Sequence, residues 1–463
     1  MLIDVNAQPN DAPVIPGEIL AICKRKSASI LIKGTPGSGK SSLALEIASS
    51  FEKTIIVTSG RSANDMKHPL SWLKSQVSWM DVATWFGGDG IANTTLAERV
   101  RVLGISEKFP VPLLVFDDLE SFMLGLPRAD ILIQNRLFFE MISAKFAGVK
   151  IIISESCDDT GIEACVDCIL ALHDELLDGR PIRWLEILKI AGARRGRKMY
   201  PFTLTGGRFS MGNPIARLDI TNAVKWIVSP DPPGSYSTGS EQLDALYKDC
   251  LKMGTFNVFE IDPDLPSAMS SFFLSAIINF LHQKRGVIVS VVEGINTILI
   301  NKREFMLYID AESLNDYYRL IEEKTGTAGE CRPYVIQVAK REKEIFKTFP
   351  EVYDALAVKT NFAPILAIME YTAIDFRNDD FLRDLSTHIK LVKNANIIEV
   401  ALINAGVDAE IRSLLVGLGD THVKFKVLDT GVTLFTGQKP WSNHFIIELA
   451  SKTMPKIKLV EVT

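Results

Sequence analysis

"SILIKGTPGSGKSSLALEIA", residues 29–48, decides the fold. A run of β-favouring apolar residues stops at a Gly-rich turn, and apolar residues at helical spacing begin at the lysine. Inside it GTPGSGKS, Gly34 to Ser41, fits G-x-x-x-x-G-K-[ST] in the strand–turn–helix setting this motif needs. Glycines let the backbone take positive φ and bring its N–H groups up to phosphate. The helix that starts near Lys40 points the positive end of its dipole at the same anion. The pattern therefore predicts a nucleoside triphosphate site made by Gly34, Thr35, Pro36, Gly37, Ser38, Gly39, Lys40, Ser41 and Ser42. Lys40 is the expected partner of the β- and γ-phosphates, and the Ser41 hydroxyl a ligand of Mg²⁺.

A Mg²⁺ site of this kind needs a carboxylate at a neighbouring strand end. "VPLLVFDD", residues 111–118, offers Asp117 and then Asp118. Asp117, the first acid after the apolar run, is the expected metal-linked residue; both also suit a helix N-cap. "IIISES", residues 151–156, puts Ser154 and Glu155 at the next strand end, where Ser154 either senses the γ-phosphate or caps the strand.

Outward from the loop, residues 28–212 alternate apolar runs ("TIIVTS", "VKIIIS", "CILALH") with helical patterns such as "RADILIQNRLFFEMISAKFAG". Near-continuous apolar strands separated by helices predict a parallel sheet covered on both faces. "RWLEILKI", "YPFTLT" and "GRFSMG" follow closely and suit an antiparallel extension. "VSPDPPGSYSTGS", residues 228–240, has linker composition. Domains are thus expected at 1–227 and 241–463, joined by 228–240.

The second region repeats the plan. "FNVFEIDPDLPSAMSSFFLSAI", residues 256–277, has the layout of the opening stretch without its glycines or lysine: Pro263 aligns with Pro36, and Ser267 with Lys40. "PILAIMEYTAI" (364–374) aligns with "PLLVFDDLESF" (112–122), putting Met369 and Glu370 opposite Asp117 and Asp118. Asp262 and Asp264 add negative charge where a triphosphate would sit. The second copy reads as a degenerate scaffold.

The bulk numbers agree with an ordinary globular protein. The chain has 463 residues, 47% hydrophobic and 23% charged, which suits two domains. No apolar run reaches the roughly 20 residues that span a bilayer, and the polar, Pro-bearing start is not a signal peptide, so a cytoplasmic location is expected. Six cysteines make no disulfide framework; Cys165 and Cys168 have CxxC spacing, with no second pair or His cluster to complete a zinc site. A net charge of −5 argues against a basic coat for nucleic acid, leaving one local patch, "ARRGRK" at 193–198.

"GTPGSGKSSLALE", the Asp117 strand end, the "SES" strand end and "LEILKIAGARRGRKMYPFTLTGGRF" together resemble a RecA/KaiC-type ATPase domain over residues 15–212. "YSTGSEQLDALYKDCLKMGTFNVFEIDPDLP" is similar to the degenerate second domain of the GvpD family, archaeal gas-vesicle regulators with a P-loop. The resemblance implies two tandem RecA-like α/β domains, the second degenerate, with ATP and Mg²⁺ as cofactors and nucleotide bound near a subunit interface. It implies a regulatory protein partner, for this family a transcription regulator, and a homo-oligomer. KaiC-type domains place a lysine and an arginine on a neighbour's nucleotide; here Lys189 matches the lysine, Ala191 stands at the arginine position, and Arg194, Arg195 or Arg197 are the substitutes for contacts to a neighbour or partner. The same group carries paired acids after the second strand, where this chain has Gly60 and Arg61. Firm binding with slow hydrolysis is expected, which fits an ATP switch. A RecA-like DNA recombination or repair factor and a KaiC-like kinase are the alternative readings.

Overall fold

The structure, a computed structural model, describes residues 14–58, 72–73, 75–81, 112–123, 131–246, 251–290, 302–324, 332–372, 379–404 and 406–463. The chain divides into two compact units, residues 1–212 with 462–463, and residues 213–461. Each is a large parallel-rich sheet flanked by helices.

In the first unit the strands are β1 (Ala28–Gly34), β2 (Lys53–Thr58), β3 (Gln76–Asp81), β4 (Leu113–Asp117), β5 (Val149–Ser154), β6 (Cys168–Leu177), β7 (Arg180–Ile190), β8 (Met199–Thr203) and β9 (Ser210–Met211). Their order is β3-β2-β4-β5-β1-β6-β7-β8-β9. Pairing is parallel from β3 to β6 and antiparallel from β6 to β9, as the closely spaced late strands predict. All seven residues of β1 are buried, because both its faces are covered. Ile30 and Ile32 pack with Leu43 and Ile47 of the helix Lys40–Ala48; Leu31 points the other way, into a core with Phe138 and Ile142 of the helix Ile131–Lys145. The Gly-rich loop leaves β1 at the carboxyl edge of the sheet, the edge at which open α/β sheets bind ligands.

The second unit contains β10 (Thr255–Ile261), β11 (Gly286–Ser290), β12 (Tyr318–Glu323), β13 (Val335–Val338), β14 (Ile365–Glu370), β15 (Ile397–Asn404), β16 (Thr421–Val427), β17 (Thr433–Lys439), β18 (Trp441–Ser451) and β19 (Met454–Glu461). The order β13-β12-β11-β14-β15-β10-β16-β17-β18-β19 is that of the first unit with one strand, β13, added at the edge. Parallel pairing again gives way to antiparallel after the strand beside the central one. The two aligned sequence landmarks fall where a repeat requires: Pro263 follows β10 as Pro36 follows β1, and β14 takes the place of β4.

Residues 228–240 are not a solvated spacer. Ser229 and Asn279 exchange hydrogen bonds (N to Oδ1 2.9 Å, Nδ2 to O 3.1 Å). Asp244 accepts from Ser237 Oγ at 2.6 Å and from Thr238 N at 2.8 Å, and Ser240 Oγ donates to the Ile457 carbonyl at 3.0 Å. The stretch belongs to the second unit, and the division falls at Gly212/Asn213. Its serines and threonines resemble linker residues in composition, yet here the hydroxyls of Ser229, Ser237, Thr238 and Ser240 hydrogen-bond to buried polar groups. Among the described residues no helix is long and apolar enough to cross a membrane.

Candidate functional site

The loop after β1 is shaped by its glycines. Gly37 (φ 81°) and Gly39 (φ 98°) lie in the left-handed region that residues with a Cβ avoid. Gly39 is also the N-cap of the helix Lys40–Ala48, whose first free N–H groups therefore face the loop. Ahead of it lies a cavity of about 240 Å³, walled by Pro36, Gly37 and Gly39 to Ser42 on one side and by Thr58, Asp117, Asp118 and Glu155 on the other. β2 and β4 bring the far wall into place, since Thr58 is the register partner of Asp117.

Lys40 is buried, and its Nζ donates to the carbonyls of Gly34 (2.7 Å) and Thr35 (2.8 Å) in its own loop. Burial pushes its pKa below the ordinary lysine value, while Glu155 and Asp117 act in the opposite sense. Ser41 Oγ donates to Asp117 Oδ2 at 2.8 Å, so the two residues assigned to Mg²⁺ from sequence meet across the cavity. Ser38 Oγ is buried without a hydrogen-bond partner in the structure. A lysine turned back on backbone oxygens, an orphaned hydroxyl and an open cradle at Gly37, where an added Cβ would meet nothing within 4 Å, together fit a phosphate chain. Asp117, beside the Ser41 hydroxyl, fits a divalent cation accompanying it. Among the described residues no cluster of three or more His, Cys, Asp or Glu is arranged to hold a metal unaided. A cation here needs the Ser41 hydroxyl, Asp117 and ligand oxygens, the usual situation of Mg²⁺.

Ser154 is fully buried and donates to Glu120, which also accepts from the Glu155 and Ser156 N–H groups at 3.1 and 3.3 Å. Ser154 is thus tied to a strand-end cap, and its neighbour Glu155 lines the cavity. Gly60 and Arg61 lie outside the described residues.

The basic residues after β7 sit elsewhere. Ile190 pairs with Cys168 at the start of β6, whereas the loop follows Gly34, which pairs with Leu172, four residues further along that strand toward the carboxyl edge of the parallel strands. Lys189 Nζ donates to the carbonyls of Glu163 (2.9 Å) and Ala164 (3.1 Å). Arg194, Arg195, Arg197 and Lys198 are exposed on the β7–β8 turn, with Arg195 held to the Ile187 carbonyl (3.0 Å) and Lys198 to Glu186 (2.9 Å). The cluster therefore projects from the sheet edge opposite its own chain's loop.

Three groups around the site escape a reading of the sequence. Lys33, the residue before Gly34, is buried and pairs with Glu163 at 2.9 Å. Burial works against the Glu163 charge, but hydrogen bonds from Lys33 and Thr160 prevail and hold its pKa at about 2. Arg183 of β7 donates to the Gly37 carbonyl at 3.1 Å. Leu204, at the end of β8, closes the cavity beside Gly39. Their partners are distant in sequence, so no local motif announces them. The CxxC pair consists of free thiols, Cys165 half-buried and Cys168 buried, the latter pushed up to about 12 by desolvation.

In the second unit the corresponding edge is filled. Asp262 accepts from the Asp264 N–H and the Val427 N–H, both at 3.0 Å. Leu265 and Met269 are buried where the first unit has its open cradle. Met369, opposite Asp117, is a buried core residue. Arg341 caps the ends of β11 and β14: Nε donates to Ser290 Oγ and Nη2 to the Ser290 carbonyl, each at 3.0 Å, and Nη2 also reaches the Glu370 carbonyl.

No family model matches the chain. It is similar to protein GvpD2 of Halobacterium salinarum (strain ATCC 700922 / JCM 11081 / NRC-1), with 26% identity over 343 residues, 69% of this chain and 66% of that protein. It is also similar to protein GvpD1 of the same organism, with 29% identity over 189 residues, 40% of this chain and 35% of that protein. The chain thus spans just under two thirds of one of these relatives and about a third of the other. Across more than two thirds of its own length, this chain is close to the GvpD proteins.

Proposed function

We propose that the first unit is a RecA/KaiC-type domain that binds ATP with Mg²⁺, and that the chain is a cytoplasmic regulatory switch of the GvpD kind. In this reading bound nucleotide controls contact with a protein partner in gas-vesicle gene regulation. The observation that carries it is the meeting of a complete Gly-rich loop, buried Lys40 and the Ser41–Asp117 pair at one cavity.

On this reading Lys40 exchanges the Gly34 and Thr35 carbonyls for the β- and γ-phosphates, to which the helix N-terminus also donates. Ser41 and Asp117 hold Mg²⁺, directly or through water, and the ion neutralises charge on the phosphates. Hydrolysis is slow, because Gly60 and Arg61 stand where KaiC-type ATPases carry acids. Asp118 and Glu155 are the cavity carboxylates left to orient a water. A γ-phosphate that orders a segment is a common basis of such switches. The exposed turn with Arg194, Arg195, Arg197 and Lys198 is the proposed output surface, where guanidinium groups suit a partner's carboxylates.

Titration calorimetry with Mg·ATP tests the reading: one site per chain is expected, and no binding, or two sites, would overturn it. Capture of partner from host extract with and without ATP, together with phosphate release by the isolated chain, tests the switch; rapid release without partner contradicts slow turnover.

A further inference from the structure

The Asp117 strand end has a neighbour on each side. β4 lies between β2 and β5 in the sheet, and β5 lies directly beside β1, from which the Gly-rich loop leaves. The sequence after β2 brings Gly60 and Arg61, with no acid. β5 ends at Ser154 and is followed by Glu155. An acid absent on one side of Asp117 is therefore present on the other, nearer the loop.

Glu155 combines a fixed backbone with an unengaged carboxylate. Its N–H donates to Glu120 Oε2 at 3.1 Å, and the Ser156 N–H donates to Glu120 Oε1 at 3.3 Å. The Ser154 hydroxyl donates to the same Oε1. Glu120 is set in turn by the short helix Leu119–Phe122, whose Leu119 and Phe122 are buried in the core. Beyond Glu155, the Asp158 N–H donates to Ser156 Oγ at 3.1 Å, and Lys33 of β1 donates to the Asp158 carbonyl. The turn is thus held from the β4 side at one end and from β1 at the other. The Glu155 side chain is exposed, lines the cavity and makes no hydrogen bond or ion pair among the described residues. Of the carboxylates whose charge acts on Lys40, Glu155 acts most strongly, ahead of Asp117, Glu120 and Asp118. Asp117 already accepts from Ser41.

We propose that Glu155 is the catalytic residue that orients and deprotonates the attacking water in ATP hydrolysis, and that Glu120 is the positioning residue that aims it. This rests on the reading of the loop as an ATP site, and it selects between the two cavity carboxylates which that reading leaves. Glu155 takes a proton as the water oxygen bonds to the γ-phosphorus. The bond from that phosphorus to the β,γ-bridging oxygen breaks, and ADP leaves with the electron pair. The proton then passes from Glu155 to the released phosphate or to solvent. A carboxylate serves as such a base when its backbone is fixed and its oxygens are not already spent on protein donors. Glu120 supplies the first condition, and the open cavity the second.

Phosphate release under excess ATP, with calorimetry of Mg·ATP and Mg·ADP, separates the two roles in the full chain. Glu155→Gln is expected to slow release about a hundredfold, the low end of what a positioned base supplies. It should also tighten Mg·ATP about threefold, because a negative charge leaves the γ-phosphate end, and hold Mg·ADP within about twofold. Glu120→Asp keeps the charge and draws it back by one methylene; release should fall about tenfold, with both affinities within about twofold of wild type. The double variant should lose no more than Glu155→Gln alone, since Glu120 acts only through Glu155. Additive losses would make Glu120 merely structural and overturn its assignment. Wild-type release in Glu155→Gln, or a loss confined to Asp118→Asn, overturns the proposal, as does a wild-type chain that binds Mg·ATP and releases no phosphate. A wild-type chain that binds no Mg·ATP removes the ATP reading itself, and this inference with it. Should Glu120→Asp fail to fold, as judged by thermal denaturation, Glu155→Gln and Glu155→Asp carry the test, the latter recovering part of the rate.

Discussion

The two units are one fold built twice, and they differ in what occupies the carboxyl edge of the sheet. Their central strand orders match, and so do finer features. A register shift falls between Ile169 and Leu170 of β6 and between His422 and Val423 of β16. Beside each lies a lysine that binds main-chain carbonyls: Lys189 on Glu163 and Ala164, Lys439 on Gly419 at 2.6 Å. Lys189 resembles a residue that acts on a neighbour's nucleotide, yet its counterpart persists in a unit whose own loop has lost the cradle. A structural role common to both copies accounts for that. At the edge itself every component changed together. Glycines became Asp262–Leu265, Lys40 became Ser267, Asp117 became Met369, and Arg341 took over the strand ends. Even the charge before the loop reversed: buried Lys33 with Glu163 in the first unit, half-buried Glu260 with Arg412 and His422 in the second. Scaffold and site are therefore separable sets of residues, and one persists without the other.

The largest effect should come from the residue that fills the blank edge. Arg341→Ala leaves buried main-chain carbonyls without a donor, at about 1–3 kcal/mol per group, so a loss of about 3 kcal/mol is expected in denaturant unfolding. Mg·ATP affinity should hold within about twofold. An unchanged stability would mean that Arg341 does not replace the lost site.

Lys40→Ala removes the principal cation of the complete loop, and a loss of about 1.5–3 kcal/mol in Mg·ATP binding is expected by calorimetry. The sharper form of the comparison is Ser267→Lys in the second unit. It should create no second site, because Leu265 and Met269 fill the space and Asp262 is bound to backbone N–H groups. Two equivalents of ATP per chain in that variant would show that a lysine alone separates the copies.

Acid titration sharpens the charge reversal. The Glu163 pKa is depressed to about 2 from 4.5. A carboxyl held more acidic in the folded state contributes stability that is fully present above the unfolded value and is lost as pH falls through the folded one. Its contribution should therefore be steady above about pH 4.5 and fade toward pH 2. Glu163→Gln should flatten that part of the stability–pH curve, measured by denaturant melts, while leaving the unfolding slope at neutral pH unchanged.

The smallest effect on stability is expected at the basic turn. Replacing Arg194, Arg195, Arg197 and Lys198 with Ala should change stability by less than about 1 kcal/mol, because the groups are exposed. It should leave Mg·ATP binding intact, since the turn lies at the far edge from its own loop. Partner capture should be lost, and in the wild type it should weaken with salt, as exposed charges are screened over about 8 Å at physiological ionic strength. Lost ATP-dependent assembly, seen by light scattering, would instead mean that an arginine serves a neighbouring chain's loop.

Much of the architecture was legible because its signals are local. β1, β4, β5, β10, β14 and β15 are near-continuous apolar runs, largely buried on both faces, and each is recognisable from its own residues. β3 and β12 were missed for the complementary reason. β3 is an edge strand with no buried residue, and β12 continues directly from a helix into Glu322 and Glu323. β18 mixes polar and apolar residues and β19 alternates lysines with apolar residues, without a sharp turn signal between them. The misread linker shows the limit of composition: Ser237 and Thr238 have the same letters whether they face water or the Asp244 carboxylate.

By itself the sequence determined the Gly-rich loop, its lysine and hydroxyl, the Asp117 strand end and the loss of all these in the second copy. Those residues are either consecutive or sit at the end of a recognisable strand, so covalent spacing alone places them. Only the tertiary structure decided that Ser154 serves Glu120, that Lys189 folds onto backbone, that Arg208 clamps Glu46 beside Leu204, and that Arg341 closes the second edge. Each of those contacts joins segments tens to more than a hundred residues apart. What brings them together is strand order and the burial of a charged or polar group that must find a partner, and neither is written in the spacing of neighbours.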